Sequence, residues 1–107
     1  MKIFLDDVRN PPDDGWQIVT SAKACIRILW TYGHKVTHIS FDHDLGNDID
    51  GTGYTVARWI EEQCYYGALK CPAWQIHSAN PVGRENIAAA MRCAEYYSDK
   101  NANKEEK

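Results

Sequence analysis

The chain has no close pair of cysteines. Its four, Cys25, Cys64, Cys71 and Cys93, stand singly along 107 residues, which excludes both the short-spaced ligand pairs of a structural zinc site and the dense disulfide framework of a small secreted module. Three of them fall in or beside helical patterns at apolar positions, so they read as reduced core thiols of a cytoplasmic protein. Long apolar runs are missing too: none approaches the ~20 residues that cross a bilayer, and the N-terminus lacks the apolar stretch of a signal peptide, so no membrane is expected as a partner. Positive charge is in short supply. Twelve Lys and Arg face 15 Asp and Glu, a net charge of -3, so no broad polyanion-binding surface and no duplex nucleic acid is expected. There is no internal repeat, and the only biased segment is the polar end from Asp99.

What is present suffices for one domain with a single core. An apolar fraction of 44% fits residues 1–98 as that domain, followed by a frayed polar tail over 99–107. Four Trp and six Tyr are many for this length; they serve either core and helix packing or the stacking of a base.

In chain order, residues 2–6 read as a strand ending in Asp6 and Asp7. The consecutive Pro11 and Pro12 with Gly15 exclude a helix there, leaving a loop. Trp16 to Thr20 reads as a second strand. Ser21 caps a helix whose Ala22, Cys25, Ile26 and Leu29 recur at helical spacing until Gly33. A third strand covers 36–42 and a glycine-rich connection covers 46–53. A helix follows from about Thr52 to Tyr66, with Val56, Ala57, Ile60 and Cys64 on its buried stripe. Pro72 to His77 is the fourth strand. Asn80 caps, and Pro81 begins, the last helix, whose buried face holds Ile87, Ala90, Met91 and Ala94. Strands alternating with helices predict a small α/β domain with one parallel four-stranded sheet, flavodoxin-like, in the order 2-1-3-4, as a three-layer or partly open sandwich.

Three of these strands end in polar groups: Asp6 and Asp7, then Asp42, His43 and Asp44, then His77, Ser78 and Asn80. Open α/β sheets place their ligand groups just beyond the carboxyl ends of strands, so these residues are expected to converge. Crowded carboxylates stay ionised most easily around a cation. Mg²⁺ or Mn²⁺ held by Asp6, Asp7 and Asp42 is the expectation, since such ions prefer oxygen ligands and keep waters that a phosphate can replace. An imidazole in general titrates near neutrality, so the pair His43 and His77 could serve as general base and acid in phosphodiester cleavage. Arg9 has the fork that clamps phosphate, or else pairs with Asp13 or Asp14. Asp44 either faces the substrate or makes a turn bond before Gly46. Ser78 and Asn80 can bond a phosphate oxygen, though Asn80 is also a cap.

The segments Leu5-Asp-Asp-Val-Arg-Asn-Pro11, Ile39-Ser-Phe-Asp-His-Asp-Leu-Gly46, Thr52-Gly-Tyr54 with Trp59, and His77-Ser-Ala-Asn-Pro-Val-Gly83 resemble the cyclic-phosphate-processing receiver-like domain family. The resemblance extends to about residue 95. It implies a receiver-like fold and action on cyclic nucleotides or cyclic phosphate ends, in conflicts between bacteria and phages. By it, Asp6 and Asp7 match the receiver's metal-binding acids, Asp42 the phospho-accepting position, and Ser78 the hydroxyl residue after the fourth strand. A receiver has a helix where this chain has the proline loop, and a fifth strand bearing a Lys where this chain ends. His43 and His77 are not receiver features, which favours an altered site that uses histidines.

The expected function is thus a metal-assisted phosphoesterase with a small nucleotide or cyclic-phosphate substrate, bearing His43, His77 and Asp42 as catalytic groups and Arg9, Ser78, Asn80 and Asp44 as substrate contacts. A protein that sequesters a cyclic nucleotide without cleaving it, and a degenerate receiver that mediates protein interaction, are the alternatives. Because a parallel sheet needs both faces covered and only three helices are predicted, either the proline loop with Trp16 or a second subunit covers one face; a homodimer is expected.

Overall fold

A computed structural model describes residues 1–46 and 48–105. Asn47, inside the glycine-rich connection, and the last two residues of the polar tail lie outside the described residues. The elements are β1 (Lys2–Leu5), β2 (Trp16–Val19), α1 (Ala22–Tyr32), β3 (His38–Phe41), α2 (Gly53–Tyr65), β4 (Ala73–Ile76) and α3 (Pro81–Glu105), with one-turn 3₁₀ helices at Gly33–Lys35 and Asp48–Asp50. The four strands form one parallel sheet in the order β2-β1-β3-β4. This is the receiver-like α/β architecture that the alternation of elements predicts.

Each strand is shorter than its apolar pattern, and the reason sets up the site. The ladder closes with Asp6 N–H on the Val19 carbonyl at 3.0 Å, Asp42 N–H on that of Leu5 at 2.9 Å and His77 N–H on that of Phe41 at 2.9 Å. Asp6, Asp42 and His77 are therefore each the first residue past a strand, held by one last ladder bond with their side chains level with one another.

Alternate strand positions separate two faces. Ile3, Leu5, Val19, Ile39 and Phe41 form a single core with Cys25 and Leu29 of α1, Val56 and Ile60 of α2, and Ile87 and Met91 of α3, so all three helices cover one face. The link from β1 to β2 reverses direction along the sheet, and a right-handed crossover carries it over the other face. There Phe4 is buried, its ring 6.2 Å from that of Trp16 and stacked at 4.3 Å on His77. Of the remaining positions on this face, Lys2, His38, Ser40 and Gln75 are polar, while Ile18 and Ala73 are apolar and exposed, so a mostly polar face goes without helices.

The helix ends follow local chemistry. Ser21 Oγ accepts the Ala24 N–H at 3.1 Å. Asn80 Oδ1 accepts the Gly83 N–H at 3.0 Å, the expected cap. Gly33 follows α1 in right-handed backbone rather than as a left-handed cap, and a Cβ there would lie 2.7 Å from the end of the Leu69 side chain, which would have to shift. The last helix continues to Glu105, beyond Asp99 where the polar composition predicts fraying. Ser98 Oγ accepts the Cys71 N–H at 3.0 Å and Asn101 Nδ2 donates to the Cys64 carbonyl at 2.7 Å, so polar residues hold the extension against the end of α2. Cys25 and Cys64 are buried, as core thiols should be, and burial pushes the Cys25 thiol up to about 12. Cys71 is half-buried and hydrogen-bonded to the Cys64 thiol, and Cys93 is exposed.

Candidate metal and phosphate site

Asp6 is 1% exposed and fully engaged. Its Oδ1 accepts the N–H groups of Val8 at 2.8 Å and Arg9 at 2.9 Å. Its Oδ2 accepts from Arg9 Nη1 at 3.3 Å and lies 2.9 Å from His77 Nε2. Burial alone would raise its pKa, but the two backbone donors, His77 and Arg9 outweigh burial and hold the carboxyl below the usual range. The turn Asp6–Arg9 thus folds around an ionised carboxylate.

Asp42 is 6% exposed, accepts the His43 N–H on Oδ1 at 2.9 Å, and lies 3.6 Å from Arg9 Nη1. Asp7 is exposed, facing Gly46, where a Cβ would fall 2.3 Å from the Asp7 carboxylate; Gly46 also has φ +69°. One oxygen from each of Asp6, Asp7 and Asp42 lies within 4.8 Å of the others. An all-oxygen set with one exposed member fits a hard divalent cation that retains water. Arg9 pairs with Asp6 and Asp42, not with Asp13 or Asp14, and half its side chain is exposed toward an incoming anion.

The opposite wall comes from the β4–α3 loop. Ser78 is buried and its Oγ accepts the Asn80 N–H at 3.1 Å. Because Asn80 Oδ1 is turned toward the helix, its Nδ2 must face out, where Asp44 Oδ2 lies at 3.4 Å. Asp44 thus bonds across the cleft and to His43 Nδ1, at 2.9 Å; the His43 contact is the main cause of its lowered pKa. The cleft enclosed is about 250 Å³. It is lined by Asp6, Asp7, Val8 and Arg9, by Asp42 and Asp44, and by Ser78, Ala79 and Asn80.

Neither histidine lines this cleft. His77 stands behind Asp6 with Nε2 on the carboxylate and Nδ1 on Ser40 Oγ at 2.7 Å, while Gln75 Nε2 donates to the same hydroxyl at 3.2 Å. In the neutral ring Nε2–H donates to ionised Asp6 and Nδ1 accepts from Ser40. His43 lies flat against α3, where a Cβ on Gly83 would be 2.4 Å from the ring. Its Nε2 has no partner among the described residues. His38 bonds Thr37 on the exposed surface, in keeping with a structural role.

Sequence reasoning passes over several supporting residues. Ser40 and Gln75 hold His77, and the only trace of this is a polar residue inside each of two strands. Gly53, at the start of α2, meets the Asp42 backbone so closely that a Cβ would lie 1.9 Å from its carbonyl oxygen. Arg84 Nη1 donates to the carbonyls of Ile76 at 3.2 Å and Ser78 at 3.0 Å, tying down the second wall. No curated protein and no solved structure matches this chain. The family described as cyclic-phosphate processing receiver domain matches residues 1–93, the stretch that carries every one of these site residues, and the chain belongs to that family.

Proposed function

We infer that this domain is a divalent-metal-assisted phosphoesterase that opens a cyclic phosphate, on a cyclic nucleotide or a cyclic phosphate end. The observation behind this is the convergence of three carboxylates, one half-free guanidinium and the Asn80 amide on one small cleft. Asp6, Asp7 and Asp42 would hold Mg²⁺ or Mn²⁺, which lowers the pKa of a bound water and neutralises charge on the phosphate. Arg9 takes the two non-bridging oxygens of the cyclic diester and Asn80 Nδ2 shares one of them, with Asp44 giving up its contact with Asn80. Water oxygen bonds to phosphorus, one ester P–O bond of the ring breaks, and the freed alkoxide takes a proton; the product is a phosphomonoester.

The histidines divide their work. His77, with both nitrogens engaged, positions Asp6. His43 does not line the cleft, but its Nδ1 is held by Asp44, which does, so proton transfer is assigned to His43 by way of that carboxylate. The test is incubation of cyclic mononucleotides and cyclic dinucleotides with protein and Mn²⁺, followed by chromatography. Wild type should give a monoester, Asp42→Asn none, and His43→Ala a turnover lower by ~10²–10⁴-fold with affinity little changed. Tight binding without product would transfer preference to a sequestering protein. Covalent labelling of Asp42 by acetyl phosphate would favour a degenerate receiver.

A further inference from the structure

The outer face of the helix layer carries two groups of aromatic rings, none of which lines the strand-end cleft. Trp30 of α1 is 75% exposed, with its ring centroid 6.4 Å from that of Trp59 on α2. At the end of α2, Tyr65 meets Tyr66 at 5.2 Å and Tyr97 of α3 at 5.1 Å, and Tyr96 follows Tyr97 at 5.7 Å. A groove of about 480 Å³ joins the two groups, lined by Ile26, Trp59, Tyr65, Tyr66 and Tyr97. Tyr65, Tyr66 and Tyr96 are 58%, 71% and 61% exposed. Apolar side chains scattered singly on a surface are ordinary, whereas a contiguous patch of this kind marks an interface.

We propose that this aromatic surface is the interface of a symmetric homodimer. Area supports a second folded chain over a short peptide. An aromatic residue buries ~150–250 Å², so the four most exposed rings alone offer on the order of 500 Å², against the ~800 Å² per partner of a stable interface; the groove and rim supply the rest. Charge supports a second copy over a partner of one sign. Arg58 bonds Tyr54 at 3.1 Å and Glu61 at 3.3 Å, and Glu62 adds a second negative charge near the same guanidinium. A patch holding both signs is complementary to itself when a twofold axis brings its halves together. Tyr and Trp suit such a core because they bury large area with little rotamer entropy. The other sheet face, crossed by the β1–β2 loop, offers less apolar surface: apart from Ile18 and Ala73 its exposed strand positions are polar.

Sedimentation across a wide concentration range tests this directly. The mass should rise to twice 12.2 kDa, and Trp30→Glu and Tyr66→Glu should each raise the dimer dissociation constant by at least about tenfold. Gln75→Glu, on the opposite sheet face, should leave it unchanged. Both aromatic positions are exposed, so the variants should keep the wild-type circular dichroism; Tyr96→Glu replaces either that does not. A monomer at every concentration, a dimer that survives the aromatic variants, or one that Gln75→Glu breaks equally would overturn the proposal.

Discussion

Asp6 combines near-complete burial with a lowered pKa, and the sign of the consequence is fixed. A carboxyl more acidic in the folded state contributes stability that is present above its unfolded value, near 3.8, and that is lost as pH falls through the lower folded value. In metal-free buffer the urea midpoint of wild type should therefore decline below about pH 4 with a slope that Asp6→Asn lacks. Parallel declines in the two proteins would mean that Asp6 is not the group responsible. At this scale the acids were legible, because a carboxylate directly after an apolar run has few other uses. The imidazoles were not: the same reading brought His43 and His77 to one edge, but each ring's direction depends on partners from other strands and helices. His77 turns toward Ser40 and Asp6, and His43 toward Asp44 and Gly83.

At the scale of elements, α2 and α3 act as struts that fix the Asp42–Asp44 segment. Gly53 opens α2 against the Asp42 carbonyl and donates its N–H to His43 O at 2.9 Å, and Gly83 in the first turn of α3 receives the His43 ring. Gly53→Ala should destabilise by ~1–3 kcal/mol, since the atom it strikes is backbone and cannot rotate away. It should also weaken divalent-metal binding although no ligand is altered. A thermal melt and a metal titration check both; an unchanged melting temperature would show that the helix start can withdraw at little cost. The helices themselves were readable from their periodicity and caps. The length of α3 was not, because its last turns are secured by Ser98 and Asn101 on the α2–β4 segment, contacts that a polar composition does not announce.

For the whole molecule, a ligand bound only by the native state stabilises it, by about 2.7 kcal/mol at ~100 times its dissociation constant. Mg²⁺ or Mn²⁺ at that excess should therefore raise the melting temperature of wild type by roughly 10–20 °C, given ~4–8 °C per kcal/mol for a domain of this size. The double variant Asp6→Asn with Asp42→Asn should not respond. A wild type indifferent to both ions would refute the metal site, and with it the esterase reading. The same fold explains how three helices serve a parallel sheet: they lie together on one face, and on the other Phe4 is buried beside the Trp16 and His77 rings while most of the remaining positions are polar.

The alternation of apolar runs with helical spacing determined by itself the class of fold, the order of the strands and the edge at which Asp6, Asp7, Asp42, Asp44, Arg9, Ser78 and Asn80 gather. These follow from local periodicity and from the right-handedness of crossovers, both written along the chain. Only the tertiary structure decided which atoms face the cleft. The orientation of a side chain is set by neighbours distant in sequence: Ser40 for His77, Gly83 for His43, and Gly53 for the backbone of Asp42.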